Sequence, residues 1–275
     1  VGGFILPFMK MNGVDIPKWD YQVPGVTSIS ADIHKYGYAA KGASTITYRN
    51  LDYLRYQMFV QPNWSGGVFA SSALLGTRPG GAYAAAWATL QYFGKDGYKK
   101  LADETWQAVT KLKQGVTAIP ELEIMGKPMG PLFAYKSIDP SVNIYAVGDQ
   151  MDAKGWQVNR NQKPNGLHAM VTAQHLKVVD QYLADLKECV AIVKANPELA
   201  NQGGAATYGM MAHIPMRGMV KKKVLEIYSN LYKAGGGEMD LAAQAEQDTN
   251  EEVKQGLVDR VLAWYVKRQT QKAAK

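Results

Sequence analysis

The sequence is poor in the groups that most often staple or metallate a chain. A single cysteine, Cys189, occurs among 275 residues, so no internal disulfide can form, as suits a reducing compartment. Cys189 falls among apolar positions of helical spacing and reads as a small core residue. His168, His175 and His213 are not spaced as metal ligands, and no metal site is expected. Long apolar runs are missing too. The longest, Val1 to Met9 and Gly81 to Leu90, fall well short of the roughly 20 residues that a membrane-spanning helix needs. A cytoplasmic location is therefore expected, with an anchor further upstream left open. Internal repeats and low-complexity tracts are also absent.

The content that is present is that of a globular chain, with 47% hydrophobic residues and hence a real core. The net charge of +7, from 31 basic and 24 acidic residues, favours anionic ligands or surfaces without naming one. Lys221, Lys222 and Lys223 form a run, and Lys267, Arg268, Lys272 and Lys275 a basic tail, which reads as a solvated helix end rather than a nucleic-acid site. Val1 to Met9 lacks an initiator Met and reads as the middle of an element, so the chain is expected to begin partway through a domain.

Along the chain, Thr27 to Asp32 and Thr45 to Tyr48 read as strands flanking a loop that contains His34, Lys35 and Lys41. A helix follows the glycine-rich turn at Pro79, Gly80 and Gly81 and is expected to stop at Gly94 to Gly97, with a second helix from about Tyr98 to Lys113. Leu132 to Ile138 and Val142 to Val147 read as strands, and Pro164, Asn165 and Gly166 mark a hairpin between Trp156 to Arg160 and Leu167 to Thr172. Leu176, Val179, Leu183, Leu186, Val190 and Val193 recur at helical spacing and form one buried face. A further helix is expected over Met219 to Lys233, ending at Gly235. The pattern is that of an α/β protein with a smaller appended unit.

The chemistry concentrates in one stretch. Lys35 follows His34 at a strand end, a placement that can hold an amine against an electrophilic carbonyl. The run Asp32, Ile33, His34, Lys35, Tyr36, Gly37, Tyr38, Ala39, Ala40, Lys41, Gly42 closely resembles the cofactor-lysine segment of the sphingosine-1-phosphate lyase family. Gly76, Thr77, Arg78, Pro79, Gly80, Gly81 resembles that family's Gly-Ser-Arg-Pro-Gly-Gly stretch at the same distance beyond the lysine. Gly2 to Phe8 and Tyr208 to Met210 also look like family segments.

The resemblance implies a fold-type-I enzyme dependent on pyridoxal 5'-phosphate. Residues 1-125 would be the C-terminal part of its large cofactor-binding domain, and 126-275 a small α+β C-terminal domain. Lys35 matches the lysine that forms a Schiff base with the cofactor, and His34 the neighbour that contacts the cofactor phosphate. Gly76 and Thr77 match a pair that reaches the cofactor phosphate from the second subunit of a homodimer with shared active sites. Lys41 and Tyr208 match groups that bind the substrate phosphate. Threonine at 77 keeps the family's hydroxyl, while Ala40 replaces a common proline without removing a functional group. The aspartate that pairs with the pyridinium nitrogen and the histidine stacked on the ring are implied to lie upstream of Val1, in an N-terminal half of the same enzyme.

The activity so implied is retro-aldol cleavage of a phosphorylated long-chain sphingoid base to a fatty aldehyde and phosphoethanolamine. Two rivals stand beside it: an amino-acid decarboxylase on the same fold, and an inactive truncated subunit. Lys41 separates the first rival, because a small amino acid brings no phosphate to neutralise.

Overall fold

The computed structural model describes residues 2–213 and, beyond them, positions 218, 221, 222, 225, 228, 229 and 232. The helix expected at Met219 to Lys233 and the basic tail from Lys267 lie outside the residues described in full. In chain order the elements are α1 (Leu6–Met11), β1 (Ser28–Ala31), β2 (Thr45–Tyr48), α2 (Leu51–Leu54), β3 (Phe59–Trp64), β4 (Gly67–Ser71) and α3 (Gly80–Thr117). They continue with β5 (Leu122–Ile124), β6 (Leu132–Ser137), α4 (Ile144–Ala153), β7 (Asn159–Gln162), β8 (Asn165–Met170), α5 (Val179–Ala195) and α6 (Gly203–His213).

The chain divides into two compact units. The first takes the residues up to Pro120 together with Ile124–Ala134 and Ala169–Leu183. Its core packs Ile5 at the N-cap of α1, Met9 of α1, Ile16, Tyr36 and Ala102 of α3 against one another, and each fully buried large side chain contributes about 1.5–3 kcal/mol. A second cluster joins Ile33, Ala39 and Ala43 of the loop between β1 and β2 to Ala86 of α3. That loop is therefore part of the core rather than a surface excursion. β1 and β2 pair antiparallel, with Ala31 opposite Thr45, while β3 and β4 form a separate antiparallel hairpin. Phe59, Val60, Trp64, Val68 and Phe69 on that hairpin are exposed.

The expected break in α3 is present: the span Gly80–Thr117 is two helices meeting at a kink, where Gly94 adopts φ 55° and ψ −170°. Only glycine takes such a conformation at little cost, so two helical arms share one axis break. Phe93, just before the kink, packs against Tyr98 with ring centroids 5.3 Å apart.

The second unit holds Glu121–Glu123, Tyr135–His168 and the residues from Ala184 on. The strand expected at Val142 to Val147 is instead the start of α4. The Asn143 side chain accepts hydrogen bonds from the Tyr145 and Ala146 amides at 2.9 and 3.2 Å, capping the helix in the usual way. Ile144, Tyr145, Ala146, Val147 and Gly148 are all buried, so no polar face remains to give the 3.6-residue period and the run imitates a strand. The expected hairpin is present. β7 and β8 pair antiparallel from Gln162 opposite Asn165 to Asn159 opposite His168, and the sheet order is β5-β6-β8-β7. On α5 the positions Val179, Leu186, Val190 and Val193 are buried, as is Cys189, whose thiol burial pushes up to about 11.

Arg160, with only 10% of its side chain exposed, sets the local electrostatics of this unit. It donates to Asp149 and Asp152, each at 2.6 Å. Asp149 in turn accepts from the Ala205 amide at 2.7 Å, so one carboxylate joins α4, β7 and the first turn of α6.

Candidate active site

The lysine loop, residues 32–44, starts one residue after β1 and ends one residue before β2. Its mouth is closed at the Ala31 and Thr45 pair, where Thr45 Oγ1 also donates to the Ala31 carbonyl at 3.0 Å. Further in, the His34 amide donates to the Ala43 carbonyl at 3.1 Å and His34 Nδ1 lies 2.6 Å from the same oxygen. A carbonyl only accepts, so Nδ1 must carry the ring proton, and Nε2 becomes a donor to an anion only when the ring is protonated.

Three tyrosine hydroxyls fasten the loop. Tyr36 donates to the Val171 carbonyl at 2.8 Å, Tyr98 donates to the Gly37 carbonyl at 2.7 Å, and Tyr38 accepts from the Ala173 amide at 3.3 Å. Burial raises the pKa of the Tyr36 and Tyr98 hydroxyls above the ordinary tyrosine range, so both stay neutral donors. Gly37 has no room for a side chain: a Cβ there would stand 2.5 Å from the Ile33 carbonyl oxygen. Tyr38 takes φ 59°, which is uncommon for a residue with a Cβ.

Lys35 is partly buried, with 34% of its side chain exposed, and its Nζ lies 2.5 Å from Asp32 Oδ2. Asp32 Oδ1 accepts from Ser44 Oγ at 2.7 Å. The hydrogen bonds from Lys35 and then Ser44 hold the Asp32 carboxyl at about 2. Lys41 is exposed on the same loop. Gly42, at φ 104°, faces the first turn of α3, where a Cβ would meet Ala82 at 3.3 Å. Gly76 and Thr77 occupy the exposed turn that leads into that helix.

His34, Lys35 and Lys41 thus share one loop in the first unit, and Gly76 and Thr77 belong to that unit as well. Tyr208 lies on α6 in the second unit, its ring 5.7 Å from that of Tyr145 and 5.6 Å from the Arg160 guanidinium. Sequence reasoning gave Asp32 no role. The available signal was a carboxylate three residues before the lysine in a turn, the spacing at which the two meet here. His175 caps the turn at Ala173–Lys177, His168 Nδ1 lies 3.0 Å from Asn161 Oδ1, and His213 ends α6. Among the described residues no group of three potential metal ligands occurs, and no helix is long and apolar enough to cross a membrane.

An amine placed at a strand end, beside a carboxylate and on a loop fastened at three points, is chemically able to form a Schiff base with an aldehyde. No family profile matches the chain. A sphingosine-1-phosphate lyase of Arabidopsis thaliana is 42% identical over 232 residues, covering 84% of this chain and 42% of that protein. The enzyme of Saccharomyces cerevisiae is 38% identical over 242 residues, covering 86% of this chain and 41% of that protein. Among solved structures, a sphingosine-1-phosphate lyase of Burkholderia pseudomallei superposes with a TM-score of 0.66 at 40% identity, over 71% of this chain and 44% of that one. A glutamate decarboxylase of Lactobacillus brevis gives a TM-score of 0.58 at 23% identity, over 70% of this chain and 45% of that one, a likeness of fold alone. The fold is accordingly the α/β fold-type-I class that the resemblance implied. The chain spans less than half the length of the curated relatives it matches. With 38 to 42% identity to these relatives along most of its length, the chain is homologous to a part of the sphingosine-1-phosphate lyases.

Proposed function

We propose that this chain forms the lysine-bearing part of a lyase that cleaves a phosphorylated long-chain sphingoid base, sphingosine 1-phosphate, to a fatty aldehyde and phosphoethanolamine. The observation that carries the reading is the placement of Lys35 beside Asp32 at the mouth of the β1–β2 pair, with Lys41 exposed on the same loop. When bound, pyridoxal 5'-phosphate supplies an aldehyde for a lysine and a sink for the electron pair left when the Cα–Cβ bond breaks. Lys35 would hold it by its amine, and His34 would contact its phosphate. In the overall reaction the C3 hydroxyl loses its proton and Cα gains one.

Lys41 offers the substrate phosphate a compact positive charge, a charge-assisted contact worth about 1.5–3 kcal/mol. Tyr208 is proposed to bind the same phosphate. Gly76 and Thr77 serve the cofactor phosphate of a second copy of the chain. Their exposure, and that of the apolar β3–β4 hairpin, supports a homodimer with shared sites. The carboxylate for the pyridinium nitrogen and the ring-stacking histidine come from the N-terminal half that the relatives possess. We further propose a cytoplasmic site of action.

The test is chemical. The protein is incubated with pyridoxal phosphate, reduced with borohydride and mapped by mass spectrometry, and the pyridoxyl group is expected on Lys35. Its absence from Lys35 overturns the cofactor assignment. The enzyme carrying this chain is then expected to release a fatty aldehyde from sphingosine 1-phosphate, and release of carbon dioxide from an amino acid instead overturns the substrate assignment.

A further inference from the structure

We infer that Asp32 is a positioning residue that holds Lys35 Nζ whenever that amine is free. The inference rests on the cofactor reading above and extends it to a residue that reading leaves idle.

Asp32 is the first residue after β1, and Ser44 the last before β2. Its two carboxylate oxygens are divided between them: Oδ1 accepts from Ser44 Oγ at 2.7 Å and Oδ2 from Lys35 Nζ at 2.5 Å. The carboxylate therefore takes its orientation from the strand ends, at the Ala31 and Thr45 pair, and not from the turn that carries the lysine. A free lysine stem has four rotatable methylenes and much rotamer entropy to lose. A fixed carboxylate at the mouth of the pair selects the rotamers that end there. Lys41, on the same loop, makes no ion pair among the described residues, so the loop itself does not order an amine. The Lys35 and Asp32 side chains keep 34% and 24% exposure, and an ion pair so wetted breaks at little cost. Asp32 thus aims the amine without locking it away from an aldehyde.

The experiment is a competition within one molecule. Wild-type protein and the variants Asp32→Asn, Asp32→Glu and Ser44→Ala are exposed to limiting pyridoxal phosphate and reduced with borohydride, and the adducts on Lys35 and Lys41 are quantified in the same digest. The Lys35 to Lys41 ratio is expected to fall about tenfold in Asp32→Asn, as suits loss of a charge-assisted contact, and to recover largely in Asp32→Glu. Thermal melts report folding separately. If Asp32→Asn melts early, Ser44→Ala decides the matter, because it keeps the charge and frees only Oδ1: a two- to threefold fall, about half the effect in free energy, supports the inference. An unchanged ratio in a folded variant overturns it. A wild-type protein with no adduct on Lys35 overturns the cofactor reading instead.

Discussion

The Tyr36 hydroxyl donates a 2.8 Å hydrogen bond to the carbonyl of Val171, 135 positions later in the chain. Both residues are buried, and the bond ties the lysine loop to the segment that leaves β8. Tyr36→Phe removes only the oxygen and leaves that carbonyl without this donor, so the protein is expected to lose about 1–3 kcal/mol of stability. Urea denaturation at neutral pH measures this, and an unchanged midpoint would mean that the carbonyl has found another partner.

Gly37→Ala tests the loop from within. The added Cβ would meet backbone, the Ile33 carbonyl oxygen at 2.5 Å and its Cα at 2.8 Å, so no rotamer change relieves it. A cost of about 1–3 kcal/mol is expected, as for other overpacked sites. Because Lys35 lies in the same turn, borohydride trapping at Lys35 falls together with the melting temperature. A variant that melts like the wild type would show that the loop has more slack than the geometry allows.

Asp139 provides a pH test in the second unit. Hydrogen bonds from the Ser141 side chain and amide, and then from Lys194, hold its carboxyl at about 2, below its ordinary 3.8. A depressed carboxyl pKa stabilises the folded state above the unfolded value, and that contribution disappears as pH falls from about 4 through about 2. Asp139→Asn is therefore expected to flatten part of the acid limb of the stability curve while changing little near pH 7 beyond the lost ion pair. Urea midpoints compared at about pH 4.5 and about pH 2.5 check this, and equal acid slopes in the two proteins would refute it.

Lys41→Met separates cofactor from substrate. Trapping at Lys35 should persist, because the Lys41 side chain is exposed. Turnover of sphingosine 1-phosphate should fall roughly 10- to 100-fold, the equivalent of one charge-assisted contact. Full turnover in the variant would assign the substrate phosphate to other groups.

The lysine loop was legible because its signals are local. Alternating residues mark β1 and β2, and glycines mark the turns between them. Asp32 escaped notice because a carboxylate near a lysine is common, and only the strand register shows that Ser44 fixes its other oxygen. Helix α4 was misread because a first turn buried on all sides lacks the polar face that reveals a period. The β3–β4 hairpin was missed because its turn, Ser65 and Gly66, sits among aromatics that stay exposed and so lack a buried face to mark the period. The fastening tyrosines were invisible for another reason: Tyr36 and Tyr98 find their partners 135 and 61 residues away, and nothing local encodes such distances.

The kink at Gly94 divides α3 unequally. Of its buried residues, Ala86 alone precedes the glycine, while Tyr98, Ala102, Thr105, Ala108, Val109, Leu112 and Val116 follow it. A helical hydrogen-bond ladder broken at one point no longer transmits cooperativity across it, so the two arms open separately. Seven buried residues anchor the later arm and one anchors the earlier arm, which leads back to the turn bearing Thr77, so amide exchange is expected to be slower beyond the glycine than before it.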